Sequence, residues 1–208
     1  MSTKNIALTS TVAFLLAACS IGKPVPQATT YLVEPAVPAE RLSATHGSEV
    51  AHMGNVRVAA AFAGSGLVYR TDDVTFVSDP YEAFIADPRA MLGNQMASWL
   101  DRAGPFKAVT QPDSMLPATY TLEANVTELY GDFRPGRTPT AVMGVQFILI
   151  DVDAVNSGRV FERTITRRVP LEQASPAALV RGYGKAASEI LSEVAAELGS
   201  KKLRRGRR

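Results

Sequence analysis

Apolar and polar residues alternate with a period of two along several segments of the chain, which is the pattern of a strand with one face in water. The clearest case is residues 120–127, where the alternation is strict. Residues 142–155 are almost all apolar and predict a central strand buried on both faces. An Asn-Ser-Gly hairpin turn at residues 156–158 and a strand at residues 160–169 follow. Together these segments predict a three-stranded meander.

Shorter apolar runs predict further strands elsewhere in the chain. They lie at residues 31–33, 56–62, 67–70, 74–77 and 106–110. Residues 35–53 carry Pro, Ser, Gly and both histidines, so a loop is predicted between the first two strands. The Gly/Pro/Arg-rich residues 131–140 predict a second loop.

Two segments carry apolar residues at spacings of three and four, which predicts helices with one buried face. The first opens with Asp87 as N-cap and Pro88 at the first helical position, and it ends at Gly104-Pro105. The second opens at Ser175-Pro176 and ends at Gly199. Because each apolar stripe needs a surface to cover, the sequence predicts an α/β (α+β) domain. It consists of a mixed, largely antiparallel sheet with both helices on one side.

The first 18 residues have the parts of a secretory signal. Lys4 supplies a positive charge, and the apolar stretch from Ile6 to Leu16 is shorter than the roughly 20 residues needed to span a bilayer. Leu16-Ala17-Ala18-Cys19 resembles a bacterial lipobox, the recognition site of lipoprotein signal peptidase. The resemblance implies cleavage between Ala18 and Cys19, a diacylglycerol on the Cys19 thiol and an acyl chain on the new amine. The alternatives are an ordinary signal peptide with a chance cysteine, or a buried structural thiol.

Cys19 is the only cysteine of the chain, and its position favours the lipoprotein interpretation. Ser20 follows it. In enteric-type bacteria Asp at that position retains a lipoprotein at the inner membrane and Ser does not, so we expect the outer membrane, with the domain facing the periplasm. The predicted organisation is a signal peptide (1–18), an acylated cysteine with a tether rich in Pro, Gly and Thr (19–30), one domain (31–199) and a disordered basic tail (200–208).

Charge is distributed unevenly along the 208 residues. The net charge is +2, yet the last eight residues, KKLRRGRR, carry six positive charges. Residues 19–200 hold 15 Lys and Arg against 20 Asp and Glu, so the body is mildly acidic. This distribution argues against a nucleic-acid-binding domain. Hydrophobic residues make up 46% of the chain, which is typical of a globular protein that folds around a core.

Few residues offer catalytic or metal-binding chemistry. His46 and His52 lie in a predicted loop without enough further ligands for a metal site, and solvated side chains are the simpler interpretation. Asp151 and Asp153 share one face of a strand, but no His, Lys or nucleophile accompanies them, so they are expected to mark the emerging end of that strand. Residues 64–66 (Gly-Ser-Gly) lack the Lys and Ser/Thr of a phosphate-binding loop and predict a turn. The sequence therefore predicts a protein that is not an enzyme and has no cofactor except the acyl groups on Cys19.

Several short strings and the order of the elements resemble the ABC-type transport auxiliary lipoprotein family, the PqiC-like group. The match runs over most of residues 30–198. Its carrying strings are Tyr31-Leu32-Val33, Gly66-Leu67-Val68-Tyr69-Arg70, Asp87-Pro88 before Met91-Leu92, Trp99-Leu100 with Gly104-Pro105-Phe106, and the closing helix after the hairpin at residues 156–158. The basic tail and the arginines of residues 131–140 depart from the family pattern.

The resemblance implies a periplasmic lipoprotein at the outer membrane that serves an ABC-type lipid transport system. Its expected partner is the mammalian-cell-entry (MCE) domain protein of that system, and a homo-oligomeric ring is possible in this family. Two other functions stay open at this point: a lipoprotein that assists outer-membrane assembly or polysaccharide export, and a periplasmic hydrolase, which the missing catalytic residues disfavour.

Candidate contact residues follow from their positions at strand ends and in the tail. Tyr69 and Arg70 end a predicted strand and could face a partner, although a structural role is equally compatible with their position. Trp99 lies on the apolar stripe of the first helix and is expected in the core rather than against lipid. A solvated, mobile tail is one interpretation of the C-terminus, and contact with anionic headgroups or an acidic partner is the other. The tail residues concerned are Lys201, Lys202, Arg204 and Arg205.

Overall fold

The computed structural model describes residues 27–42, 46–111, 114–152 and 158–203. Within them lie eight strands, two helices and one 3₁₀ turn at Ala60–Phe62. The helices are α1, Pro88–Ala103, and α2, Pro176–Ser200. The strands are β1 (Thr29–Tyr31), β2 (His46–Val58), β3 (Gly66–Arg70), β4 (Phe76–Phe84), β5 (Phe106–Thr110), β6 (Tyr120–Asp132), β7 (Thr140–Asp151) and β8 (Gly158–Pro170).

All eight strands belong to one mixed sheet, and β6 organises it. One edge of β6 pairs antiparallel with β7 along nearly its whole length, and β7 pairs antiparallel with β8. The other edge of β6 is shared between two parallel neighbours. Strand β2 pairs with residues 120–126 and β3 pairs with residues 131–132. Strands β3, β4 and β1 therefore extend the sheet only at the C-terminal end of β6, whereas β5 lies beyond β2.

Both helices begin as their sequences predict. The Asp87 side chain accepts a hydrogen bond from the Arg89 backbone N–H, and the Ser175 side chain accepts one from the Ala178 N–H. These caps satisfy backbone donors that have no partner within the helix, and Pro at the first helical position removes another. The Arg89 guanidinium, which also binds the Asp87 carboxylate, lowers the pKa of that carboxyl to about 2. The predicted helix boundaries are confirmed.

The helices cover one face of the sheet. Helix α1 packs on β2 and β5, α2 packs on β7 and β8, and the two helices touch each other. Helix α2 approaches β7 closely at Gly182, where a Cβ atom would lie 2.6 Å from the Ala141 Cβ. A side chain at this position would push the helix away from the strand. The predicted mixed sheet with two helices on one side is confirmed.

Residues 32–39 lie across both helices after β1. The Trp99 indole Nε1 of α1 donates to the Ala36 carbonyl at 2.8 Å, and the Ser188 hydroxyl of α2 donates to the same oxygen at 3.0 Å. The Glu34 carbonyl lies against Gly184, at 2.7 Å from where a Cβ would stand. Val33 is completely buried. Because Trp99 is also fully buried, its prediction as a core residue is confirmed.

The prediction of a loop over residues 35–53 is wrong in its second half. The prediction of a strand over residues 56–62 is also wrong in its second half. Strand β2 already starts at His46 and ends at Val58, and the last three residues of the predicted strand form the 3₁₀ turn. The backbone there is paired on both sides, by β5 and β6. Gly54 and Asn55, whose residue types suggest a loop, stand at an irregularity in the pairing with β6. Loop-forming residues are thus tolerated inside a strand because the two neighbours fix its backbone.

Two other predicted strands differ in extent. The one at residues 74–77 is instead β4, Phe76–Phe84, which continues through Asp79-Pro80. Strand β1 covers Thr29–Tyr31, two residues earlier than predicted, because those residues pair in parallel with the end of β4. Neither helix of the described segments has the length and apolar composition needed to cross a membrane.

The meander of β6, β7 and β8 is as predicted, but its central strand is shorter. Strand β7 ends at Asp151, and residues 153–157, which include Asp153 and most of the predicted turn, lie outside the described residues. Residues 141–145 are buried on both faces. Beyond them the face opposite the helices opens to solvent at Gln146, Ile148 and Ile150. Burial on both faces is therefore limited to the first half of β7.

Candidate functional site, the exposed arm of β3 and β4

The candidate contact residues Tyr69 and Arg70 are the last two residues of β3, next to Gly131 and Asp132 of β6. They mark the point where β3 and β4 leave the rest of the sheet. We refer to β3, β4, the turn between them and Ile85, which directly follows β4, as the arm.

Tyr69 is partly buried against the core. Its hydroxyl donates to the Asp79 carboxylate at 3.1 Å, and its ring stacks on Phe133 with centroids 5.1 Å apart. Burial, followed by the hydrogen bond to Asp79, raises the pKa of Tyr69 well above its ordinary value. The side chain therefore stays protonated at physiological pH and serves as a donor that ties β3 to β4.

Arg70 fastens the turn between β3 and β4. Its Nε donates to the Asp72 carbonyl at 3.2 Å and its Nη2 to the Asp73 carbonyl at 2.5 Å. Its guanidinium carbon lies 5.6 Å from the centroid of the Phe76 ring, within cation–π range. Both Tyr69 and Arg70 thus make contacts that stabilise the arm, and both are partly exposed to solvent. Contact with a partner stays a prediction for them.

Asp79 closes an irregularity in β4. Between Gly66 and Val68 the register of β4 shifts by several residues, so that β4 bulges at Asp79-Pro80. The Asp79 Oδ1 accepts from the backbone N–H groups of Tyr81 at 2.9 Å and Glu82 at 3.1 Å. These N–H groups are therefore unavailable to an added strand, and this part of the β4 edge is protected against strand addition.

Arg134 joins the arm to the loop after β6. Its Nε and Nη2 donate to the two oxygens of the Asp132 carboxylate at 2.8 and 2.7 Å, and its Nη1 donates to Asp73 Oδ1 at 2.7 Å. The Arg134 side chain is 11% exposed and that of Asp132 only 7%. The hydrogen bonds from Arg134 lower the pKa of both Asp132 and Asp73. One arginine thus fixes the turn of the arm against the rest of the sheet.

Several apolar side chains of the arm are exposed. Val74 is 88% exposed and Ile85 is 62% exposed, and Phe76, Val77 and Tyr81 are each exposed by almost half. We call these five side chains the apolar arm surface. They extend from the turn before β4 to the residue after it, and exposed polar residues lie between them. The Phe76 ring also contacts Phe62 and Tyr130 edge-on, with centroids 6.1 and 5.3 Å apart. Exposed apolar side chains on a rigid backbone are typical of a protein–protein interface.

We expect Arg134→Gln to weaken the folded state and to change its response to acid. The folded pKa of Asp132 is lower than the unfolded value of about 3.9, so its ionisation stabilises the fold above about pH 4, and this contribution is lost as the pH falls through the folded pKa. Without Arg134 the carboxyl loses the largest cause of its low pKa, and the longer ion pair with Arg168, at 3.9 Å, remains. Urea unfolding should therefore show a lower midpoint for the variant at neutral pH, and a difference from wild type that shrinks below about pH 4. A difference that is independent of pH would contradict the assigned role of Arg134.

The other candidate residues lie apart from the arm. His52 is inside β2, with Nδ1 at 3.0 Å from the Thr110 Oγ1 of β5, so its predicted place in a loop is wrong. His46 is the first residue of β2. Asp151 is buried as the last residue of β7. Across the described segments no three His, Cys, Asp or Glu side chains are grouped closely enough to hold a metal ion.

The basic residues of the tail are only partly described. The Lys201 Nζ lies 5.8 Å from the centroid of the Phe161 ring, and Lys202 is exposed. Arg204 and Arg205 lie outside the described residues, as does Cys19.

Residues 31–195 match the sequence model of the family described as "ABC-type transport auxiliary lipoprotein component". The match includes both helices almost completely and begins at the last residue of β1. The chain belongs to the ABC-type transport auxiliary lipoprotein family. Membership identifies it as an envelope lipoprotein that works with an ABC-type transporter, as the resemblance of its short strings implies. The whole exposed arm lies inside the matched range.

Solved structures share the fold of this family member. Protein XCC0632 from Xanthomonas campestris superposes with a TM-score of 0.64 at 18% identity, covering 82% of this chain and 92% of the other. The hypothetical protein CT253 from Chlamydia trachomatis superposes with a TM-score of 0.50 at 13% identity, covering 73% of this chain and 96% of the other. No curated protein sequence matches the chain. At these identities the structural similarities establish the fold alone.

Proposed function

We propose that this protein is a non-enzymatic, outer-membrane-anchored lipoprotein that serves an MCE-type lipid transport system from the periplasmic side. The single observation that carries the proposal is the family match over residues 31–195. The exposed apolar surface of the arm supports it, because a component that acts through a partner needs a surface for that partner.

The anchor in this proposal is Cys19. Cleavage after Ala18 leaves Cys19 as the first residue, with a diacylglycerol on its sulfur and an acyl chain on its amine. Two or more acyl chains suffice for stable attachment to a bilayer. Nine residues lie between Cys19 and Thr29, the first residue of β1, so the tether reaches at most about 35 Å when fully extended. Ser20 favours the outer membrane over the inner one.

The arm is the proposed binding surface for the MCE-domain protein. Its backbone is fixed by Arg70, Tyr69 and Arg134 through the hydrogen bonds described above. A partner that binds a rigid surface does not have to order it, which lowers the entropic cost of association. The N–H groups satisfied by Asp79 favour side-chain packing over strand addition as the mode of binding.

Two exposed residues of the arm allow a direct test. The double variant Val74→Asp with Ile85→Asp puts two carboxylates in place of apolar contacts. In a pull-down with the acylated lipoprotein, we expect the double variant to recover at least about tenfold less MCE-domain protein than wild type does. Leu42→Asp is the matched control, because Leu42 is 46% exposed and lies outside the arm, with its N–H bonded to the Ala103 carbonyl at the end of α1. Equal recovery with all three proteins would remove the arm from the proposal.

The same pull-down separates the proposed function from its alternative. Recovery of a β-barrel assembly protein or of a polysaccharide exporter in place of an MCE-domain protein would favour outer-membrane assembly or polysaccharide export. A homo-oligomeric ring stays a prediction. Light scattering of the purified protein and of the double aspartate variant measures its mass and shows whether the arm also joins copies of this chain.

A further inference from the structure

A second group of exposed apolar side chains lies away from the arm. Met115 is 95% exposed, Leu116 is about half exposed, and Val152 and Val160 are exposed by roughly 40%. We call these four side chains and their surroundings the hairpin end. None of them contributes to the arm.

Backbone contacts bring this group to one end of the sheet. The Val152 N–H donates to the Thr119 carbonyl at 3.1 Å, which joins the end of β7 to the segment that carries Met115 and Leu116. Val160 stands at the irregularity where β8 pairs with the last residues of β7. All of this lies at the N-terminal end of β6, whereas the arm is attached at its C-terminal end. The 13 residues of β6 separate the two ends by about 40 Å.

The basic tail begins at the same end. Helix α2 finishes at Ser200, and Lys201 follows with its Nζ above the ring of Phe161, three residues after the first residue of β8. Leu203 packs against the core, so the tail leaves the fold beside the hairpin end. Residues 201–208 carry six positive charges.

Few negative charges oppose this concentration of positive charge. Glu49 and Asp151 are buried. Glu162 is paired with Arg159, and Glu197 of α2 is paired with Arg163. Asp113 and Asp153 lie outside the described residues. The carboxylates described here are therefore buried or paired with arginines outside the tail.

We infer that the hairpin end docks on the surface of a bilayer that contains anionic phospholipids, with the apolar side chains entering the interface and the tail binding the phosphates. Exposed aliphatic side chains beside clustered Lys and Arg are typical of interfacial membrane contacts. The exposed apolar group consists of Met, Leu and Val without Trp or Tyr, and Leu and Val are under-represented among the anchors of protein–protein interfaces, which disfavours an acidic protein as the occupant. The inference does not depend on the acyl groups of Cys19, and it leaves the arm free for a partner at the opposite end of β6.

A chain of residues 20–208 tests the inference without acyl chains. It retains every described helix and strand, and it contains no cysteine. Met115→Cys provides a single site for an environment-sensitive fluorophore, and Val74→Cys on the arm provides the matched control. With vesicles of phosphatidylglycerol and phosphatidylethanolamine we expect a blue shift at position 115 and none at position 74. With phosphatidylcholine vesicles we expect no shift at either position.

Sedimentation with the same vesicles measures the two contributions separately. Each basic residue near an anionic surface contributes about fivefold to partitioning, so replacing all six tail cations by Gln should lower it at least about tenfold even with screening. Met115→Ser with Leu116→Ser should lower it about fivefold or more, and Val74→Ser should leave it unchanged.

Three outcomes would overturn the inference. The first is equal partitioning to anionic and zwitterionic vesicles. The second is partitioning that does not change when Met115→Ser is combined with Leu116→Ser. The third is that the protein does not bind vesicles but does bind an acidic polypeptide such as polyglutamate. The last result would assign the hairpin end to a protein partner. None of them bears on recovery of the MCE-domain protein through the arm.

Discussion

Replacing Trp99 by alanine is expected to lower the free energy of unfolding by about 3–5 kcal/mol. The indole is completely buried between α1 and residues 32–39, so alanine leaves a large cavity. The substitution also removes the Nε1 hydrogen bond to the Ala36 carbonyl, which helps to hold the segment that joins the tether to the domain. Chemical denaturation followed by circular dichroism measures the change.

Ser188→Ala is the matched control for this substitution. It removes the other hydrogen bond to the Ala36 carbonyl, but from an exposed side chain and without a cavity. The expected cost is therefore no more than about 1 kcal/mol. We assign Trp99 to the core contact between the two helices and residues 32–39. If the Trp99→Ala variant were as stable as Ser188→Ala, that assignment would be contradicted.

Replacing Cys19 by serine is expected to abolish the stable attachment of the protein to the outer membrane through acyl chains, so that only the weaker, reversible contact of the hairpin end remains. Serine has no thiol to accept a diacylglycerol, and each acyl methylene that no longer enters the bilayer removes about 0.8 kcal/mol of binding free energy. Summed over two or three acyl chains, this loss leaves no measurable attachment through the anchor. Fractionation of membranes on a density gradient, followed by immunoblotting, is the measurement.

Ser20→Ala is the control for the anchor, because it preserves the thiol and introduces no carboxylate. It should fractionate with the wild-type protein. Cys19→Ser protein that is still recovered from the outer membrane at the wild-type level would assign the attachment to another part of the chain, with the hairpin end as the first candidate.

The sequence predicts those elements whose signals are local. The caps at Asp87 and Ser175 fix the start of each helix, and the alternation in residues 120–127 identifies β6 without reference to the rest of the chain. The first half of strand β2 escapes prediction because its Gly, Ser and His residues argue for a loop, and only pairing with β5 and β6 overrides that preference. Strand β4 is underestimated for the same reason, since Asp79-Pro80 ends a strand pattern unless a bulge accommodates it.

The candidate site is only partly predictable. The sequence predicts that a strand ends at Tyr69 and Arg70, and these are the last two residues of β3 in the arm. Their inward contacts and the exposure of Val74 and Ile85 depend on which strands pair, which periodicity does not encode. The Asp132-x-Arg134 spacing is a usable signal in retrospect, because a carboxylate and a guanidinium two residues apart at the end of a strand can bond side by side.

The most direct measurement is the intact mass of the native protein extracted from membranes. The account predicts a chain that begins at Cys19 and carries the added mass of one diacylglycerol and one amide-linked acyl chain. An unmodified thiol at residue 19, or a chain that still contains residues 1–18, would contradict it.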